Sequence, residues 1–190
     1  MVHVLVASNT SAMLLRKLMA PEQGAGLVNV RSAHPASSLY SAAKTLLQVR
    51  GEPVAIVLDA DSTEPAMAAR ARDEAAEVIG EPADAPAFRI LVAVPALESL
   101  LFRRPEAVRR AYANTPSELI DLGLVSPGDA FRKMAGASDR HQAAFSIITQ
   151  LDAEDIAALR GVSPARELLE FLEQQERIEA KGNAPATAPA

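Results

Sequence analysis

Two acids one residue apart, Asp59 and Asp61, follow the most apolar stretch of the chain, Pro53-Val54-Ala55-Ile56-Val57-Leu58. In an extended chain residues i and i+2 share a side, so the two carboxylates can converge where this stretch ends. Converging carboxylates suit a hard divalent cation, because Mg²⁺ takes one or two protein carboxylates and keeps positions for water and phosphate oxygens. The chemistry that follows is phosphoryl or phosphodiester transfer with Mg²⁺ or Mn²⁺ as cofactor. The same residues also fit a plainer role, Asp59 closing a strand and Asp61 belonging to the capping turn of the next helix. Glu98 follows the next apolar run, Phe88-Arg89-Ile90-Leu91-Val92-Ala93-Val94, by a few residues. It reads either as a third, catalytic acid over the same edge or as a helix-start acid favoured by the macrodipole, and Glu64 reads as a helix-start acid.

Other polar residues fall at corresponding places. Ser8, Asn9 and Thr10 follow the first apolar run and could hold a phosphate through hydroxyls and backbone N–H groups, or simply cap a helix. Ser37 and Ser38 stand in the same relation to a later helix, where capping is the expected role. Arg103, Arg104, Arg109 and Arg110 cluster around Pro105 just past Glu98. They either track a nucleic-acid backbone beside the acids or form a solvated helix face. His3, His34 and His141 stand apart, without metal-ligand spacing. No Gly-x-Gly-x-x-Gly and no Gly-Lys-Ser/Thr is present, so neither standard nucleotide-cradling loop is expected.

The elements that must position these residues follow from periodicity. Val2-His3-Val4-Leu5-Val6-Ala7 reads as a strand, followed by a helix capped from Ser8-Asn9-Thr10 with Ala12, Leu15 and Leu18 inward and ended by Pro21 and glycines 24 and 26. Residues 27–31 read as a second strand, and Ser37 or Ser38 caps a helix reaching Gly51. The segment 53–58 is apolar on both faces, as a central parallel strand should be. Ser62 or Thr63 then caps a helix that opens at Pro65 and stops at Gly80, before the strand at 88–94. This alternation predicts a four-stranded, mainly parallel, Rossmann-like α/β sheet flanked by helices, with its ligand site beyond the carboxyl ends of the strands. From Pro95 onward only helices are expected, the last opening at Ser163-Pro164 with Leu168, Leu169 and Leu172 on its apolar face. The expected division is 1–102 for the α/β part, 103–180 for a helical extension packed on it, and 181–190 for a disordered Ala/Pro tail.

Composition narrows the classes. The chain has 190 residues, 19 basic and 24 acidic, for a net charge of −5, so whole-surface attraction to nucleic acid is not expected. It is long enough to close a core without staples. The absence of cysteine excludes disulfides, zinc–thiolate sites, iron–sulfur clusters and thiol catalysis. No apolar run approaches the roughly 18 residues of a membrane span, and no signal sequence is read at the start, so no membrane partner and a cytoplasmic location are expected. The lack of tryptophan argues against an aromatic platform for single strands.

Taken together, Val4-Leu5-Val6 with its turn and helix, Val57-Leu58-Asp59-Ala60-Asp61-Ser62, and Ala93-Val94-Pro95-Ala96-Leu97-Glu98 resemble a Toprim domain. The resemblance covers about residues 2–102 and is nearest in kind to the overcoming-lysogenisation-defect nucleases and small stand-alone Toprim-like proteins. It implies that Asp59 and Asp61 hold the metal, that Glu98 is the later catalytic acid, and that nucleic-acid phosphodiesters are the substrate. The family's first-strand glutamate aligns with Ala7, followed by Ser8, and another acid often seen there aligns with Ala96. Those two alanines motivate the alternative, a catalytically inactive binding or regulatory module, for example in phage defence, with a protein partner such as an ATPase. A small-phosphoester hydrolase is the third reading. The sequence sets no oligomeric state.

Overall fold

Four β-branched, apolar segments form the strands β1 (Val2–Val6), β2 (Val28–Ser32), β3 (Val54–Asp59) and β4 (Phe88–Ala93). A computed structural model describes residues 1–81, 85–136 and 139–182 and pairs these strands, all parallel, in the order β2-β1-β3-β4. β1 and β3 are central, which is why they carry apolar residues on both faces. Alternation divides them: Val2, Val4, Val6, Ala55 and Val57 face one apolar cluster, and Leu5, Val54, Ile56 and Leu58 face the other.

Helices α1 (Asn9–Leu18), α2 (Ala20–Gly24), α3 (Ala36–Lys44) and α4 (Pro65–Ile79) connect the strands. Ser8 caps α1, its Oγ accepting the Ser11 N–H at 2.9 Å, while Ala12, Leu15 and Leu18 are buried. Pro21 does not act as a stop. It lies in the first turn of α2, where its missing N–H costs nothing, and α1 has already ended at Leu18. Ser37 and Ser38 do not cap α3 either, because that helix starts one residue earlier with Pro35 at its N-cap. A π-type turn, Thr45–Val49, prolongs α3. Glu64 occupies the N-cap of α4 without a side-chain cap bond, the Ser62 Oγ accepting the Glu64 N–H at 3.1 Å. Gly80 closes α4 in the left-handed conformation, φ 79°.

Past β4 the described chain is helical: α5 (Ser99–Phe102), α6 (Pro105–Ala111), α7 (Ser117–Val125), α8 (Pro127–Ala135), α9 (Arg140–Gln150), α10 (Ala153–Arg160) and α11 (Ala165–Gly182). The expected tail begins at 181, but residues 181–182 belong to α11 and 183–190 lie outside the described residues. One apolar cluster runs from Val4 and Leu15 through Phe102, Phe131 and Ile147 to Phe171, so these helices share the core of one sheet face. The other face is covered by α3 and α4 through Leu39, Ala75 and Ile79. No described helix is long and apolar enough to cross a membrane.

Two contacts fix the helical part. Gly123 of α7 lets the Phe102 ring approach so closely that a Cβ there would lie 2.1 Å from ring carbons. Asp155 of α10 is fully buried and takes Arg104 Nε at 2.6 Å together with the Arg110 guanidinium.

Candidate functional site

Between β1 and β3 the chain departs to opposite sides of the sheet, and a crevice at the carboxyl ends of the strands follows from that reversal. A cleft of about 340 Å³ opens there. Ser8 and Thr10 enter it from the N-cap and first turn of α1, Asp59 and Asp61 from the end of β3 and the turn after it, and Ala96 and Glu98 from the segment after β4. Ser126 and Phe131, at the start of and within α8, and His141 and Ala144 of α9 close the far wall.

Asp59 ends β3 on the side of the sheet that α1 covers, and its Oδ1 accepts the Leu97 N–H at 2.7 Å. Burial, the Glu98 carboxylate and Asp61 push its carboxyl up to about 7, against the lowering effect of the Leu97 N–H. Asp61 reaches the cleft differently from the expected strand alternation. Its backbone is left-handed, φ 52°, a conformation aspartate tolerates, and its N–H donates to the Pro95 carbonyl at 2.9 Å. The convergence of the two acids is therefore set by a turn tied to the neighbouring strand's exit. Glu98 stands at the N-cap of α5, as the helix-start reading had it, and also lines the cleft. Its Oε1 accepts the Ser11 hydroxyl at 2.9 Å and the Ser8 hydroxyl at 3.2 Å.

The cleft thus brings together Asp59, Asp61, Glu98, Ser8 and Thr10. Asn9 turns away, its Oδ1 accepting the Ser32 hydroxyl at 2.6 Å. None of the four clustered arginines lines the cleft. Arg104 is spent on Asp155 and on Glu154 at 3.1 Å, and Arg110 on Asp155, on Asp152 at 3.2 Å and on the Gln150 carbonyl at 2.9 Å. Arg103 and Arg109 are exposed. Ala7 packs with the cluster under α3 and α4, on the face of the sheet opposite Asp59. The groups that meet Glu98 from the first turn are instead the hydroxyls of Ser8 and Ser11.

Sequence reasoning missed Ser11 and His141. Ser11 is buried and reads in sequence as one more residue of a helical first turn. The His141 ring reaches the cleft because α9 packs on α1, its Nδ1 lying 3.1 Å from the Thr10 hydroxyl across 131 positions of chain. The one local signal was a histidine at the start of a helix whose N-cap, Asp139, accepts its N–H at 2.9 Å.

Among the described residues no group of three His, Asp or Glu is arranged to hold a metal ion. The donors nevertheless fit a cation such as Mg²⁺, which needs only one or two carboxylates, and Asp59, raised first by burial and then by Glu98 and Asp61, faces these acids without a counter-charge. No lysine or arginine among the described residues lines the cleft to provide one.

No family model matches the chain, and no curated protein does. Among solved structures, the C-terminal region of the OLD protein of Xanthomonas campestris pv. campestris is similar in fold, with a TM-score of 0.58 at 15% identity over 96% of this chain and 97% of that one. At that identity the likeness is one of fold alone: the chain is a parallel α/β protein whose architecture is similar to that region's.

Proposed function

We propose that the cleft is a divalent-cation-dependent phosphodiester site of the nuclease type, a Toprim-like centre with Asp59 and Asp61 as cation ligands and Glu98 assisting. The observation that carries this reading is the crowding of Asp59 by burial and by Glu98, which pushes its carboxyl up to about 7 where the strand order reverses. A bound Mg²⁺ or Mn²⁺ would supply charge neutralisation on the phosphate and a more acidic water. The Leu97 N–H holds Oδ1 of Asp59, so that Oδ2 would be the atom to hold the cation. The hydroxyls of Ser8 and Ser11 fix Oε1 of Glu98, so this carboxylate keeps one orientation towards the cleft. Of the arginine cluster, Arg103 and Arg109 are the side chains to meet a nucleic-acid backbone, since Arg104 and Arg110 serve Asp155.

Nicking of supercoiled plasmid across Mg²⁺ and Mn²⁺ concentrations, beside an identically purified Asp59→Ala/Asp61→Ala protein, tests the proposal. Cleavage by the wild type alone supports it, and equal activity of the two proteins overturns it. A second reading, a binding or regulatory module without chemistry, is favoured by the serine hydroxyls that face Glu98 and by Ala96. It expects no cleavage under any metal but a stable complex with protein or nucleic acid.

A further inference from the structure

An anionic phosphate entering this cleft meets three carboxylates, and among the described residues no lysine or arginine lines the cavity to receive it. One lining side chain can offer a phosphoryl oxygen a hydrogen-bond donor that also carries positive charge when protonated, the imidazole of His141. Among the described residues its ring has one hydrogen-bond partner. Nδ1 lies 3.1 Å from Oγ1 of Thr10, and with the hydroxyl as donor to Nδ1 the neutral ring keeps its proton on Nε2, the nitrogen left for a ligand. The backbone supports this placement, because Asp139 caps α9 through the His141 N–H and Ser8 caps α1 two residues before Thr10. Ala144, one turn further along α9, and Val125, half exposed at the end of α7, give the same wall an apolar portion beside the imidazole.

We infer that His141, oriented by Thr10, is the phosphate-holding residue of the cleft, donating from Nε2 to a non-bridging oxygen of a phosphate ester, with Thr10 as a positioning residue. This rests on the phosphodiester reading of the same cleft and assigns the ester's anionic side to the α9 wall. Two sources share the chemistry, a nucleic-acid backbone and a small phosphate ester, and the test separates them.

The test follows the imidazole ¹⁵N and ¹³C resonances of the full-length protein in Mg²⁺, with His141→Gln identifying the His141 signals among the three histidines. Thymidine 5′-monophosphate and a phosphorothioate-linked single-stranded oligonucleotide are titrated separately, and Kd is measured for wild type, His141→Gln and Thr10→Val. We expect the His141 Nε2 signal to shift with at least one ligand, and the ligand that shifts it names the source. His141→Gln should weaken that ligand about tenfold and Thr10→Val about threefold, with Mn²⁺ affinity unchanged. An unmoved His141 signal with bound ligand, no ligand binding at all, or wild-type affinity in His141→Gln overturns the inference. Its failure is distinct from that of the phosphodiester reading. Cleavage with His141 silent would sink the inference alone, and a His141 shift in a protein that cleaves nothing would sink the reading alone.

Discussion

Asp59 ionises against its own burial and against Glu98, so its charged form is a cost to folding that a cation would remove. A carboxyl raised from 3.8 to about 7 binds its proton more tightly in the folded chain. The penalty is absent below about pH 4, grows between the two values and is complete above about pH 7, where it amounts to on the order of 4 kcal/mol at most. Asp59→Asn is therefore expected to raise the melting temperature at pH 8 and to change it little at pH 4, in metal-free thermal melts. Saturating Mg²⁺ should stabilise the wild type at pH 8 and leave Asp59→Asn unmoved. At this scale the sequence was only partly legible. The Asp-x-Asp pair announces itself through its position after an apolar strand, whereas Ser11 and His141 gain their roles from residues 87 and 131 positions away.

Among the elements, strands were the most legible, because β-branched, two-sided apolar runs have few other uses in a parallel sheet. Helix boundaries were less so. Pro21 reads as a stop and instead opens a second short helix, and Ser37 reads as a cap and instead lies inside a helix that Pro35 caps. The arginine cluster shows the same limit, since its carboxylate partners lie 42 to 51 residues downstream. Burial pushes the Asp155 carboxyl up, but the bonds from Arg104, the Asp152 N–H and Arg110 outweigh it and hold the group below its ordinary value. Arg104→Met/Arg110→Met is expected to cost about 3–5 kcal/mol at pH 7, because it strands a buried carboxylate. Asp155 contributes stability above its unfolded-state value and loses it as pH falls through the lower folded value. The difference from wild type in urea melts should therefore shrink in acid. Gly123→Ala places a methyl into the Phe102 ring and is expected to cost about 1–3 kcal/mol, a drop of a few degrees in Tm.

For the molecule as a whole, the apolar cluster under α1 joins the sheet to α11 through Leu168, Phe171 and Leu172. Ending the chain at residue 163 exposes that surface, and we expect the shortened protein to lose its sharp thermal transition, checked by circular dichroism. The parallel α/β order was legible from alternation of strand and helix. The cleft was legible as a location, because strand order forces a crevice there, but its far wall of α8 and α9 belongs to tertiary packing. Asp59, Asp61 and Glu98 line one cleft with no basic side chain among the described residues beside them, which is the ground for the cation proposed as its first ligand. The most direct measurement is Mn²⁺ titration at pH 8 followed by electron paramagnetic resonance, for wild type and Asp59→Asn/Asp61→Asn. Saturable binding to the wild type that the double variant loses while remaining folded is expected; undiminished Mn²⁺ binding by the variant, or none by the wild type, would contradict a cation site at these acids.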